Sequence, residues 1–149
     1  MTAVFPRGRG RQRRYVLDAN ALIGFFEDRE GTAGKVEHLI EEAARQDLPL
    51  LMSAVNWGEV FYAEWRARGE AKARAAESSL LEMPIAVIAV DRERASRAGA
   101  LKQKHGLGYA DAFAAELAIE RGALLVTADP DFRKVGKVLA LYPLPQHEK

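Results

Sequence analysis

Apolar residues fall along this chain in two alternating patterns. Short unbroken runs (Tyr15-Val16-Leu17, Leu50-Leu51-Met52, Ile85 through Val90, Leu124-Leu125-Val126 and Val138-Leu139-Ala140) lack the polar alternation of a strand with one wet face, and they predict strands buried on both sides. Between them the apolar positions are three and four apart. Val36, Leu39, Ile40 and Ala43 predict a helix over 34–46 that stops before Pro49. Helices are also expected over 53–68 and 70–82 with Gly69 at the break, from an Asp91 cap to about Lys104, and over 109–121 with Gly122 closing it. Ala21–Phe26 reads as a short helix starting near Asn20, a favoured N-cap type. Strands that alternate with helices predict an α/β domain, a parallel sheet flanked by helices on both faces.

At 149 residues the chain has room for a single domain. Its 48% hydrophobic and 29% charged residues exclude wholesale disorder. It contains no cysteine, which removes disulfides, thiolate metal sites and cysteine nucleophiles and agrees with a cytoplasmic location. No apolar run reaches the roughly 18–20 residues of a membrane span, and the first residues lack a signal-peptide core, so no membrane partner is expected. The net charge of +1 is unevenly shared. Arg7, Arg9, Arg11, Arg13 and Arg14 give residues 1–17 a local +5, while the other 17 basic and all 21 acidic residues leave −4 elsewhere. The expected organisation is a basic, disordered arm over 1–14, a body over 15–142 and a tail over 143–149. Such an arm on an acidic body points towards a polyanionic partner, or is no more than a solvated leader.

Open α/β sheets bind ligands at the carboxyl ends of their strands. Asp18 and Asp91 lie at predicted strand ends, and Asp129 lies just past another. Glu59 lies on the helix after the second strand, and Asp111 in the first turn of the helix after Gly108. Carboxylates gathered at one sheet edge raise each other's pKa unless a cation is present, so a cluster of this kind implies a hard divalent ion, Mg²⁺ or Mn²⁺. Each acid also has a plainer reading. Asp129-Pro130 and Asp91 suit helix caps, and Asp111 suits a helix dipole. Glu59 sits beside Trp57 and Val60, and Asp18 ends an apolar strand with no turn chemistry around it, so these two are harder to explain that way. His38, His105 and His147 show no metal-ligand spacing.

At these acids the chain resembles a known family. Tyr15-Val16-Leu17-Asp18-Ala19-Asn20-Ala21-Leu22-Ile23 is similar to the opening strand of PIN-domain ribonucleases, in particular the VapC-type toxins of toxin–antitoxin pairs. Ser53 to Val60 resembles the family's segment with the second acid, His105 to Phe113 the segment with the third, and Leu125 to Phe132 the segment with the fourth. The likeness spans about residues 15–142, and the arm departs from it. It implies a five-stranded parallel sheet between helices and a metal-binding acidic quartet of Asp18, Glu59, Asp111 and Asp129. Asn20 and Thr127 become supporting or substrate-facing polar groups, and Asp131 an additional acid.

The resemblance implies a metal-dependent endoribonuclease that hydrolyses RNA phosphodiester bonds, a toxin silenced by a cognate antitoxin, and a homodimer. Asp18 and Asp111 are the expected direct ligands. Glu59 and Asp129 are expected to act through water or on a second ion, Glu59 orienting the nucleophile. Arg133, Lys134, Lys102 and Lys104 are candidates for RNA contacts, or ordinary solvated charges. Trp57, Phe61 and Trp65, four apart, form either a core stripe or the groove where the resemblance places the antitoxin's C-terminal segment. Two other readings stand beside this one: a non-catalytic RNA-binding or scaffolding protein of the same fold, and an RNA-processing nuclease with no toxin role.

Overall fold

A computed structural model describes residues 13–146. The arm expected over 1–14 falls outside the described residues except for Arg13 and Arg14, as do residues 147–149 of the expected tail. The elements run β1 (Tyr15–Leu17), α1 (Ala19–Phe26), α2 (Ala33–Gln46), β2 (Leu50–Ser53), α3 (Ala54–Arg68), α4 (Glu70–Leu81), β3 (Ile85–Ile88), α5 (Arg92–His105), α6 (Tyr109–Arg121), β4 (Leu124–Thr127), a 3-10 helix (Pro130–Val135) and β5 (Ala140–Pro143). All five strands pair in parallel, in the order β3-β2-β1-β4-β5.

The apolar strand runs bury both faces of this sheet, because successive residues point to opposite sides. Val16, Leu51 and Leu125 join Leu107, Phe113, Leu117 and Phe132 in one core. Leu17, Leu50, Met52 and Val126 join Leu22, Val36 and Leu39 in the other. A side chain of this size fully removed from water contributes about 1.5–3 kcal/mol, so the two cores together hold the helices on both faces.

Strand order locates the functional edge. The chain builds outward from β1 through β2 to β3, then crosses to β4 on the other side of β1 and ends at β5. The carboxyl ends of β1 and β4 therefore flank the point where the winding reverses, the place where open α/β sheets bind ligands. Leu17 pairs with Val126 there, and Asp18 N–H donates to the Val126 carbonyl at 3.1 Å.

Three expectations need correction. The helix expected to start near Asn20 begins one residue earlier and is capped by Asp18, whose carboxylate accepts from Ala19 N–H. β3 is not buried on both sides: it is an edge strand, shorter than expected, and Val87 is 42% exposed. The last strand is not 138–140 but Ala140–Pro143, set by pairing Leu124 with Ala140 through Thr127 with Pro143. Leu144 beyond it is buried and donates its N–H to the Thr127 carbonyl at 2.8 Å.

Candidate active site

Four segments bring the acids to one edge. Asp18 leaves β1 almost wholly buried, 2% exposed. One of its oxygens accepts from Ala19 N–H and the other from the Thr127 hydroxyl, both at 2.8 Å. Thr127 Oγ1 in turn accepts from Asp129 N–H at 3.0 Å, and Asp129 accepts from Asp131 N–H at 2.9 Å. Asn20 ties the same two segments together, its Oδ1 accepting from Ala128 N–H at 3.2 Å. Both polar residues expected beside the acids thus hold β1 and α1 to the turn after β4.

Glu59 comes from α3. Its Oε1 accepts from Asn56 Nδ2 at 2.9 Å, and the same amide donates to the Ala110 carbonyl of α6 at 3.1 Å. Asn56 is fully buried, and both its partners are acceptors, so the amide nitrogen must face them. Its own Oδ1 has no partner among the described residues. Asp111 lies in the first turn of α6, folded back over Gly108: a Cβ there would stand 3.3 Å from Asp111 Oδ2. A glycine at 108 leaves that carboxylate room.

Electrostatics link the acids. Burial pushes the Asp18 carboxyl up to about 7, and the charges of Asp111 and Glu59 push the same way against the hydrogen bonds from Thr127 and Ala19. Burial also raises Asp111, to about 6, with Asp129, Glu59 and Asp131 adding to it. Asp18, Glu59, Asp111, Asp129 and Asp131 therefore share one field. Asp91 does not enter it and caps α5 on Arg94 N–H. The plainer reading of Asp129 is also present, since it caps the 3-10 helix with Pro130 following.

Among the described residues no three acidic or histidine side chains close into a ready-made ligand cage. The coupling is longer-ranged, as suits a hard ion that keeps several waters. The donors are carboxylate, hydroxyl and amide oxygens, so the chemistry of the set fits Mg²⁺ or Mn²⁺ and gives a soft metal nothing to hold. Next to Asp129 a cavity of about 220 Å³ opens between Thr127, Arg133, Pro143 and Leu144. Sequence reasoning missed the role of Asn56. A polar residue three before Glu59, and so on the same helix face, was its only signal.

The fold and site together define an open parallel α/β domain with coupled acids at its winding reversal. The chain belongs to the PIN domain family, which residues 15–138 match. Among solved structures it is similar to VapBC2 from Rickettsia felis bound to a promoter DNA fragment, with a TM-score of 0.66 and 19% identity over 87% of this chain and 98% of that one. A toxin–antitoxin complex from Klebsiella pneumoniae gives 0.56 and 25% over 79% and 89%. Mycobacterium tuberculosis VapC20, a sarcin–ricin-loop-cleaving toxin, gives 0.60 and 20% over 82% and 95%. No curated protein matches the chain. Membership of the PIN family, with VapC-like structural neighbours, implies a nuclease. Among the described residues no helix is long and apolar enough to cross a membrane.

Proposed function

We propose that this chain is a metal-dependent endoribonuclease, the cytoplasmic toxin of a toxin–antitoxin pair, acting as a homodimer. The observation that carries the reading is the shared field of the five acids. Asp18 is 2% exposed and burial drives its carboxyl up to about 7, with Asp111 and Glu59 pushing the same way, an accumulation of negative charge that a divalent cation would relieve. Asp18 and Asp111 would hold the ion, with Glu59 and Asp129 holding it through water or sharing a second one. When bound, a divalent ion supplies Lewis-acid charge to the phosphoryl oxygens and lowers the pKa of the attacking water. The chain's own residues do the positioning. Thr127 and Ala19 fix both oxygens of Asp18, and Asn56 holds Glu59 towards the start of α6, where a carboxylate can orient the water.

The scaffolding reading draws on Asp18 and Asp129 as caps. It accounts for Asp111 only by the dipole of α6, in whose first turn that residue lies, while burial and neighbouring carboxylates push its carboxyl up and no hydrogen bond offsets them. For the antitoxin, the support is the α3–α4 face. Trp57, Phe61 and Trp65 are only partly covered, Trp65 being 42% exposed, and Arg74 lies over the Phe61 and Trp65 rings. A partner helix could bury such a face. The test is incubation of the purified chain with tRNA and rRNA in Mg²⁺ or Mn²⁺ beside Asp18→Asn and Asp111→Asn. Cleavage by the unaltered chain alone is expected; intact RNA throughout, or full activity in either variant, would contradict the proposal.

A further inference from the structure

The cavity of about 220 Å³ beside Asp129 is walled by groups of two kinds. The end of the β4–β5 ladder contributes Thr127, Pro143 and Leu144: Thr127 pairs with Pro143, and the buried Leu144 donates its N–H to the Thr127 carbonyl. The 3-10 helix contributes Arg133. Phe132 and Val135, 1% and 6% exposed, anchor that helix, so packing accounts for its apolar residues and not for the exposed Arg133. Among the described residues the Arg133 guanidinium has no hydrogen bond and no ion pair, whereas the neighbouring Lys134 stands 3.7 Å from Asp131. The cavity shares Thr127 and Asp129 with the acid rim. Thr127 Oγ1 donates to Asp18 at 2.8 Å and accepts from Asp129 N–H at 3.0 Å. Its volume is about seven waters' worth of liquid, room for one planar base and not for two.

We propose that this cavity is a guanine-reading subsite, taking the base of a nucleotide next to the phosphate at the acids, with Arg133 as the residue that reads it. The inference rests on the nuclease reading above and adds which base the site selects. Apolar walls at Pro143 and Leu144 suit the faces of a base, and one polar group placed among them fixes its orientation. A guanidinium is a rigid fork of N–H donors with no acceptor. Guanine presents two acceptors, O6 and N7, along one edge, and the fork can meet both at once. On the same edge adenine sets a donor beside N7, cytosine presents a donor and uracil a single acceptor, so each leaves part of the fork unpaired. A lone phosphate would satisfy the guanidinium and leave the apolar walls uncovered. A base fits the whole cavity.

The test uses the full chain carrying Asp18→Asn, so that RNA survives, and a short oligouridine containing one guanosine. It should bind about tenfold more tightly than the same oligonucleotide with adenosine at that position. Inosine, which keeps O6 and N7, should match guanosine, and 7-deazaguanosine, which lacks N7, should not. Arg133 is exposed, so substituting it touches neither core. Arg133→Ala should erase the guanosine preference. Arg133→Lys keeps the charge and loses the fork, so it should erase the preference too while holding most of the affinity for oligouridine. Equal affinity for guanosine and adenosine in the Asp18→Asn chain would overturn the inference, as would a guanosine preference that survives Arg133→Lys. Gln146, the last described residue, also lines the cavity. A preference that emerges only when residues 147–149 are deleted would therefore assign the cavity to the chain's own tail, against the inference. Cleavage by the chain with its native Asp18 is followed in parallel, and its cut should fall at a phosphate flanking the guanosine. Cuts spread evenly along the oligonucleotide, with no guanosine preference in binding, overturn the subsite alone. A guanosine preference without cleavage supports the subsite and removes the nuclease reading.

Discussion

Asp18 is pulled two ways. As the cap of α1 and the acceptor from Thr127 it favours the charged form, while its burial and the nearby Asp111 and Glu59 favour the neutral one. Burial wins, and the carboxyl rises from 3.8 to about 7. Between those values unfolding releases a proton, so the metal-free protein loses stability as pH climbs from about 4 to 7, and the loss levels off above. The full swing is at most about 4 kcal/mol. Asp18→Asn keeps an oxygen for Ala19 N–H and removes the charge. In EDTA at pH 8 it should melt higher than the unaltered chain, with the two curves converging near pH 4. Mn²⁺ at pH 8 should raise the melting temperature of the unaltered chain and leave the variant unmoved. Thermal melts across that pH range check both; equal melting at pH 8 would count against a buried charge. The acid itself was legible in the sequence as the polar end of an apolar strand. Its capping role was not, because Asn20 is an equally good cap by type, and the hydrogen bond to Thr127 that fixes Asp18 joins residues far apart in the chain.

Among the elements, helix pairs meet through buried polar groups of two kinds. Asn56 joins α3 to α6 and holds Glu59. Asn56→Ala removes the side-chain donor to the Ala110 carbonyl and leaves Glu59 free to turn. We expect about 1–3 kcal/mol of lost stability and a cleavage rate at least tenfold lower. Glu116, 3% exposed on α6, accepts from Arg94 and Arg97 of α5 at 2.8–3.1 Å. Glu116→Ala strands Arg94, which also pairs with Glu120, and should cost on the order of 2–3 kcal/mol, limited because Arg97 is half exposed. Its cleavage should match the unaltered chain at temperatures where both are folded. Urea titration and rate measurement together separate the two variants; a rate loss in Glu116→Ala equal to that in Asn56→Ala would contradict the distinction. Helices α2 to α6 were legible to within a residue or so because their apolar spacing and terminal glycines are local. β3 and β5 were misread because an apolar run does not report its neighbours. The edge position of β3 and the register of β5 on β4 are decided by pairing across the sheet, and Pro143 is tolerated on the outermost strand.

For the whole molecule the question is how a polyanion approaches a rim of carboxylates. The 17 basic and 21 acidic residues outside the first 17 positions leave a net −4, so under the proposed function long-range attraction to RNA has to come from local cations and from the five arginines of the first 17 residues. Lys134, 3.7 Å from Asp131, supplies a cation at the rim, and Lys102 one on the loop before α6. The sequence between residues 2 and 13 adds Arg7, Arg9, Arg11 and Arg13. If those arginines sit on phosphates, each displaces counter-ions, and deleting residues 2–13 should lower the salt slope of RNA binding by up to about 3. The loss should fall on affinity at low salt and shrink as salt rises, because such contacts are screened beyond about 10 Å at 0.1 M. It should fall equally on RNAs of different sequence, since phosphate contacts carry no base information. The turnover rate at saturating RNA should be unchanged, because no acid of the rim is touched. Binding isotherms at several salt concentrations, beside single-turnover cleavage, measure both quantities. An unchanged slope would make the arginines a solvated leader and leave the local cations as the chain's main hold on RNA.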